Sequence, residues 1–141
     1  MPRVSFCIPT HDGNAKCQQY LFDIFHALEH QTNKDFNVWI SDHSKSKKVL
    51  QACQEYADVF EINYVQNKTK YGNISANTNN ALRHGDGDIL KVLFSDDFIL
   101  TTNLTDALDK AFTDKTDWAV TGFAHTLTDG QQHYNPKIPM Y

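Results

Sequence analysis

The sequence lacks any run of apolar residues long enough to cross a membrane, which takes about 20 of them in a helix. Its opening residues, MPRVSFCIPT, contain too short an apolar core for a secretory signal. Internal repeats and low-complexity segments are absent as well. These absences predict a soluble, cytoplasmic protein without a membrane span.

Cysteine and positive charge are both scarce. Three cysteines, an odd number without CxxC spacing, indicate neither a disulfide framework nor a structural zinc site. Thirteen basic residues against 17 acidic ones give a net charge of −4, which argues against nucleic acid as a partner because its phosphates require clustered bases. The one basic cluster, KSKK at 45–48, is either a solvated loop or helix start, or a site for an anionic ligand.

The length and composition that remain are those of one packed domain over residues 1–141. The hydrophobic fraction is 40% and the aromatic fraction 12%, well above disordered composition. Apolar strand-like stretches alternate with stretches of helical periodicity and a polar, proline-containing tail follows them. The predicted strands are Val4–Pro9, Phe36–Ser41, Glu61–Asn67, Ile89–Phe94 and Trp118–Leu127, and the predicted helices are Ala15–Gln31, Lys47–Phe60, Asn73–His84 and Asn103–Phe112.

This alternation predicts an α/β fold, in which a mostly parallel central sheet is covered by helices on both faces. Ligands of such sheets bind in the crevice beyond the carboxyl ends of the strands. The polar segments THDGN, SDHS and SDD follow the first, second and fourth predicted strands. We therefore expect these three segments to converge on one site.

Two adjacent carboxylates, Asp96 and Asp97, follow the fourth predicted strand. Aspartate is a good turn former, so a simple turn is one interpretation. The other is a metal site, because a divalent cation relieves the repulsion between the two charges. Hard oxygen ligands suit Mg²⁺ or Mn²⁺, which bind jointly to a carboxylate and to the phosphates of a substrate.

Two further aspartates leave similar alternatives open. Asp42 ends the second predicted strand and either caps the next helix or turn, or accepts hydrogen bonds from a nucleobase or ribose. Asp12 either caps the first helix or contacts the same ligand. Thr10 could add a backbone or hydroxyl contact.

Four segments, in order, resemble family 2 glycosyltransferases of the GT-A fold. VSFCIPTHD is similar to the opening strand of that family, and FNVWISDHSKS to its second strand, which ends in aspartate. NKTKYGNISANTNNAL resembles its N-x-G-x-S-x-A-R-N-x-A-L stretch, and GDILKVLFSDDFI the segment that contains the DxD metal motif. Together they span roughly residues 3–112.

The resemblance implies a Rossmann-like domain that binds a nucleotide-diphosphate sugar, linked to UDP, GDP or TDP. Pro9, Thr10 and Asp12 would line the nucleotide pocket, and Asp42 would match the aspartate that hydrogen-bonds the base. Asp96 and Asp97 would occupy the DxD region and hold Mn²⁺ or Mg²⁺, with Asp97 the direct ligand of the ion that bridges the diphosphate. The implied reaction is an inverting, metal-assisted transfer of the sugar to a glycan or another hydroxyl acceptor.

The chain departs from the family pattern in two places within these segments. Ser95 stands where the DxD pattern has its first aspartate. Thr78 stands where the family often has arginine, between Asn77 and Asn79, and Asn79 is the position we assign to the nucleotide-sugar site. A phosphate-facing positive charge is then either missing or supplied by Lys68, Lys70 or Arg83.

The third departure concerns the acceptor half of these enzymes, which carries the general base and follows the DxD strand by a further hundred or so residues. In this sequence about 35 residues follow the segment that matches the DxD motif. Asp129 and His133 are the titratable candidates for a base in the tail, although a loop role suits both, and His125 is expected to be a packing residue. We expect a truncated or minimal domain whose exposed apolar surface favours self-association or a partner chain.

Two other functions compete with this prediction. One is a non-catalytic module that binds a nucleotide sugar and receives its acceptor site from a partner chain. The other is a nucleotidyltransferase, which shares the sheet and the metal logic. The segment PTHDGNAK disfavours the latter, because it offers a single glycine where a glycine-rich phosphate loop would lie.

Overall fold

The computed structural model of the chain describes residues 2–126 and 132–135. Contacts divide the chain into two compact units, Met1–Lys110 and Ala111–Tyr141. The elements in chain order are β1 (Val4–Thr10), α1 (Cys17–Glu29), β2 (Phe36–Asp42), α2 (Lys48–Tyr56), β3 (Ile62–Gln66), α3 (Ile74–His84), β4 (Ile89–Val92), α4 (Leu104–Ala111), β5 (Phe123–Thr126) and β6 (Gln132–Asn135).

The first unit contains a four-stranded sheet with the order β3-β2-β1-β4. All three strand pairs in it are parallel. This arrangement confirms the predicted α/β class with a mostly parallel sheet. The chain steps outward from β1 to β2 and β3 and then returns to place β4 on the other side of β1, so the topological switch point lies between β1 and β4.

The hydrophobic core forms around β1, the strand that lies between β2 and β4. All seven residues of β1 are buried, as expected for a strand covered on both faces. Helix α1 buries Leu21, Ile24, Phe25 and Leu28, which recur at the helical spacing that predicted this face. Fully burying one such side chain contributes roughly 1.5–3 kcal/mol, so this face alone fixes α1 on the core.

The predicted fourth and fifth strands are both longer than the strands observed. β4 ends at Val92 rather than Phe94, because the chain then turns and the Phe94 carbonyl accepts the Asp97 amide at 3.0 Å. Within the described residues 118–126 of the predicted fifth strand, the observed strand is Phe123–Thr126. Trp118 is 75% exposed, so its apolar character does not mark a buried strand here.

The second unit contains a two-stranded antiparallel sheet that the sequence analysis did not predict as such. Strands β5 and β6 pair with each other, and His125 lies opposite His133 in the register. The segment QHYN of β6 carries no apolar alternation, and its pairing is set by its partner strand rather than by its own pattern. His133, for which a loop role was expected, therefore lies in a strand.

None of the helices in the described part of the chain combines the length and the apolar character needed to span a membrane.

A hydrogen-bonded cluster attaches the α3–β4 loop to the amino-terminal halves of β1 and β2, at the end of the sheet away from the carboxyl ends of the strands. One oxygen of the Asp86 carboxylate accepts from Asn37 Nδ2 at 2.8 Å and from Trp39 Nε1 at 3.1 Å. The Ser5 hydroxyl in turn accepts the Gly87 amide at 2.8 Å. The hydrogen bond from Asn37, followed by that from Trp39, lowers the pKa of Asp86 below the ordinary value of 3.8.

We expect Asp86→Asn to lower the urea midpoint of unfolding at pH 7. Because the pKa of Asp86 is lower in the folded chain, its stabilising contribution is complete above pH 3.8 and is lost as the pH falls through the folded-state value. The difference between Asp86→Asn and the wild type should therefore shrink below pH 3.8 in parallel urea titrations. The exposed Asp58 supplies the control, and an equal response of Asp58→Asn would contradict the assignment.

Candidate functional site

A cavity of about 300 Å³ opens at the carboxyl ends of the strands, at the switch point between β1 and β4. Its wall combines the loops that follow β1, β2 and β4 with the first turns of α1 and α3. The lining residues are Pro9, His11, Gly13, Asn14, Cys17, Tyr20, His43, Gly72, Ile74, Asn77, Phe94, Ser95 and Asp96. The predicted convergence of the segments after the first, second and fourth strands is therefore observed.

Asn77 is the hydrogen-bonding centre of this end of the sheet. Its side-chain amide donates to the Thr10 carbonyl at 3.0 Å. Its oxygen accepts from Ser41 Oγ at 2.8 Å and from Asn67 Nδ2 at 3.0 Å. One buried side chain on α3 thus connects the ends of β1, β2 and β3, and it fixes the relative positions of the loops that form the cavity.

Asp42 is completely buried and organises the loop that follows β2. Its Oδ1 accepts the Ser44 amide at 2.8 Å, and its Oδ2 accepts the Tyr64 hydroxyl at 2.7 Å. Burial, and after it the hydrogen bond to Asp42, raises the pKa of Tyr64, so the phenol keeps the proton that it donates. His43 rather than Asp42 lines the cavity.

Asp12 joins the first loop to the second. Its two carboxylate oxygens accept the backbone amides of Lys45 at 3.2 Å and Ser46 at 2.8 Å. Hydrogen bonding to Ser46 lowers the pKa of Asp12, so the group is ionised at neutral pH. The carboxylate therefore caps the amides of the basic segment after β2 and not those of α1, whose first residue is Cys17.

Two buried hydroxyl groups at this end of the sheet have no hydrogen-bond partner among the described residues. They are Thr10 Oγ1, at the end of β1, and Ser44 Oγ, two residues after β2. Buried polar groups are nearly always paired, and an unpaired one in a native fold calls for a water or a ligand. Both orphan groups belong to the segments that the sequence places at the binding site.

The two carboxylates after β4 lie in different surroundings. Asp96 lines the cavity, together with the half-buried Ser95. One oxygen of the Asp97 carboxylate accepts the Phe94 amide at 3.3 Å. Burial lowers the pKa of Lys91, and the negative charge of Asp97 acts against that shift. Asp97 is thus directed toward its own turn and strand, whereas Asp96 faces the cavity.

The rim of the cavity is aromatic and carries a positive charge. The Tyr71 ring lies 5.6 Å from the His43 ring and 6.3 Å from the His11 ring, measured between centroids. Lys45 Nζ lies 4.5 Å from the centroid of the same tyrosine. Gly72 follows with a φ of 82°, a left-handed conformation that a residue with a Cβ rarely adopts.

Several predicted site residues lie elsewhere in the structure. Asn79 is exposed on α3, and the Thr78 hydroxyl donates to the Ile74 carbonyl at 2.9 Å. The candidate phosphate-binding bases Lys68, Lys70 and Arg83 are exposed and do not line the cavity. Asp129 lies outside the described residues.

The residues that sequence reasoning overlooked are Asn77, His43 and Tyr71. Asn77 could have been recognised from its spacing, because it precedes Ala81 by four residues and therefore shares the buried face of α3, whereas Asn79 does not. His43 and Tyr71 belong to loops. Their meeting depends on how the ends of β2 and β3 are placed by the sheet, and no local pattern encodes that distance.

The donor atoms at the cavity fit a hard divalent cation. Asp96 offers a carboxylate and Ser95 a hydroxyl on the cavity wall, and Asp97 is the adjacent residue. Mg²⁺ and Mn²⁺ prefer oxygen ligands and retain sites for water or phosphate, which one or two carboxylates at an open cavity allow. Ser95 and Asp96 would hold such an ion, with Asp97 next to them.

This arrangement defines a Rossmann-like α/β domain with a ligand cavity at the switch point. The family model of glycosyl transferase family 2 matches residues 5–138, and the chain belongs to that family. The resemblance stated from the four sequence segments is thereby confirmed. Among curated proteins, none matches this chain.

Solved structures of glycosyltransferases are similar to this fold. The structure of S. aureus TarS gives a TM-score of 0.63 at 26% identity, over 74% of this chain and 18% of TarS. TarS 1-349 in complex with UDP-GlcNAc gives 0.65 at 25% identity, over 77% of this chain and 32% of that one. The mannosyltransferase PcManGT of Pyrobaculum calidifontis, in complex with GDP-Man and Mn²⁺, gives 0.56 at 21% identity, over 72% and 29%, and shows the fold alone. The chain thus spans a third or less of these proteins.

Proposed function

We propose that this domain binds a nucleotide-diphosphate sugar, UDP-linked, and serves the transfer of its sugar to a hydroxyl acceptor. The observation that carries the proposal is the cavity at the switch point, which brings Pro9, His43 and Asp96 together from three strand ends. Membership of glycosyl transferase family 2 supports the reaction class. The similarity to TarS in complex with UDP-GlcNAc supports the choice of a UDP-linked donor.

Some residues around the cavity would contact the nucleotide sugar, and others would position the loops that form the cavity. Pro9 and Asp96 would touch the nucleotide sugar directly, and the orphan hydroxyl of Thr10 would gain a partner on binding. Asp12 and Asp42 would position the loop after β2, because their carboxylates hold its backbone amides. Asp42 would act on recognition of the base indirectly, through the loop after β2 that it positions.

A divalent ion held at Ser95 and Asp96, when bound, would stabilise the negative charge of the departing diphosphate. The chain's own side chains would orient the donor. Tyr71 would offer an aromatic face at the rim, and Lys45 a positive charge beside it, toward an anionic ligand. The acceptor hydroxyl would attack the anomeric carbon as the bond to the diphosphate breaks, with inversion.

Calorimetric titration with UDP, GDP, TDP and CDP, each with and without Mn²⁺, tests this proposal. We expect UDP to bind and Mn²⁺ to strengthen the binding. The variant Ser95→Asp places a second carboxylate on the cavity wall, so Mn²⁺ should strengthen UDP binding more in this variant than in the wild type.

Two outcomes would count against the proposal. Failure of all four diphosphates to bind a folded chain would remove the donor site altogether. Binding that is equally strong with and without Mn²⁺ in both wild type and Ser95→Asp would leave the nucleotide site but remove the metal from it. Release of UDP from UDP-GlcNAc, measured separately, distinguishes a catalytic domain from one that only binds the donor.

A further inference from the structure

Three side chains with metal-binding atoms lie together at the carboxyl-terminal end of α1. They are His26, Glu29 and His30, all exposed, and one ligand atom from each lies within 4.8 Å of the others. Cys17 and Tyr20 at the other end of the same helix line the cavity. The cluster is therefore separate from the carboxylates of Asp96 and Asp97 and has no part in the proposed donor site.

The spacing of these residues suits one metal ion. Positions i, i+3 and i+4 lie on one face of a helix, and two histidines four residues apart on a helix are a known zinc-binding arrangement. His26 Nδ1 lies 4.0 Å from Glu29 Oε2, and the two imidazole rings have centroids 4.4 Å apart. Tetrahedral zinc with bonds of about 2.0–2.1 Å separates its ligand atoms by roughly 3.3–3.5 Å. Small rotations of three exposed side chains can supply that difference.

His30 is already oriented for this role by the backbone. Its Nδ1 lies 2.8 Å from the His26 carbonyl oxygen, so in the neutral ring Nδ1 carries the proton and donates it. The lone pair then resides on Nε2, which is the nitrogen available to a metal. A zinc-bound histidine typically has this arrangement, because donation of its other ring N–H to a carbonyl or carboxylate fixes the tautomer and the ring.

The electrostatic surroundings favour a cation. The last carbonyls of a helix carry partial negative charge, and this cluster occupies the last turn and the cap of α1. Glu29 adds a full negative charge. Lys34 acts in the opposite direction, since its ammonium group donates to the Glu29 carbonyl, but this contact leaves the Glu29 carboxylate available.

We propose that His26, Glu29 and His30 form a zinc-binding site on the surface of α1, completed by water. Two imidazole nitrogens and one carboxylate oxygen are a ligand set that suits Zn²⁺ and not Mg²⁺ or Mn²⁺. Binding would connect the last turn of α1 to its cap residue. Gln31 follows this turn, and its side chain donates to the Thr101 carbonyl at 2.7 Å. The ion would therefore also stabilise the start of the segment that connects α1 to β2.

The test is calorimetric titration of the full chain, free of any affinity tag, with Zn²⁺ alone. We expect one ion per chain and a higher thermal midpoint in its presence. Loss of an outer partner of a metal typically weakens binding about 10–100-fold, so His26→Ala and His30→Ala, which each remove a direct ligand, should each weaken it at least tenfold. Glu29→Gln should also weaken it.

His84 provides the matched control. It is exposed in the last turn of α3, and its Nδ1 lies 2.8 Å from the Asn80 carbonyl, but position 80 is asparagine and position 83 arginine. His84→Ala and Asp96→Ala should bind Zn²⁺ as the wild type does. Absence of Zn²⁺ binding, unchanged binding in both His26→Ala and His30→Ala, or loss of binding in Asp96→Ala would overturn the proposal.

Discussion

Replacement of Asn77 by alanine should lower the free energy of unfolding by about 2–4 kcal/mol, since each buried polar group that loses its partner costs roughly 1–3 kcal/mol. Asn77 is 4% exposed, and its removal deprives Ser41 Oγ and Asn67 Nδ2 of their shared acceptor. The Thr10 carbonyl loses the hydrogen bond from Asn77 but still accepts the His43 amide at 2.9 Å, so leaving it without Asn77 costs less free energy. Thermal unfolding should show a midpoint lower by roughly 6–15 °C.

Asn79→Ala is the matched control, because Asn79 is exposed on the same helix two residues away. Surface substitutions of this kind usually change stability by less than about 0.5 kcal/mol. Equal effects of the two substitutions would contradict the role of Asn77 as the centre of the site. Below the unfolding temperature, Asn77→Ala should also weaken UDP binding, because the loops after β1, β2 and β3 lose their common anchor. Weaker UDP binding in Asn79→Ala would instead support the direct contact predicted from the sequence.

Replacement of Asp96 by asparagine should abolish most of the strengthening of UDP binding by Mn²⁺. Asp96 lines the cavity, and the substitution keeps the shape of the side chain while removing its charge. Loss of an outer partner of a metal commonly costs about 10–100-fold in affinity, so loss of a direct carboxylate ligand should cost roughly 100-fold. Titration with Mn²⁺ and UDP, compared with UDP alone, measures this effect.

Asp97→Asn is the companion variant, and the sequence resemblance makes Asp97 rather than Asp96 the direct metal ligand. In the structure Asp97 accepts the Phe94 amide, and asparagine can accept that bond through its own oxygen. We therefore expect Asp97→Asn to retain more than half of the Mn²⁺ effect. The opposite order, with Asp97→Asn the more damaging, would assign the metal to Asp97 and leave Asp96 a turn residue.

The α/β fold was predictable because its signals are local. β1 is a short apolar run and α1 has apolar residues at helical spacing, so each element could be recognised within a window of ten to fifteen residues. Alternation of such elements restricts the sheet to parallel strands with helices on both faces. The pairing of β5 with β6 could not be predicted in this way, since the register between two short strands depends on contacts that neither strand specifies alone.

The candidate site was predictable only in part, and the reason lies in what each residue contacts. The position of Asp96 after a strand placed it at the correct edge of the sheet. The same argument placed Asp42 there, but burial and the hydrogen bond to Tyr64 make it part of the loop framework instead of the cavity wall. The position of a residue along a strand determines at which end of the sheet it lies. Whether its side chain reaches the cavity depends on the segments of the chain that pack around it.

The sequence by itself determined the family, the order of the strands along the chain and the segments that meet at the switch point. These features follow from the residue types and spacing within short segments, which do not depend on the rest of the fold. Only the tertiary structure decided that Asn77 connects three strand ends, that Asp96 faces the cavity while Asp97 faces its own turn, and that Tyr71 joins two histidines at the rim. Such relations are distances between residues far apart in sequence, and packing of the whole core sets them.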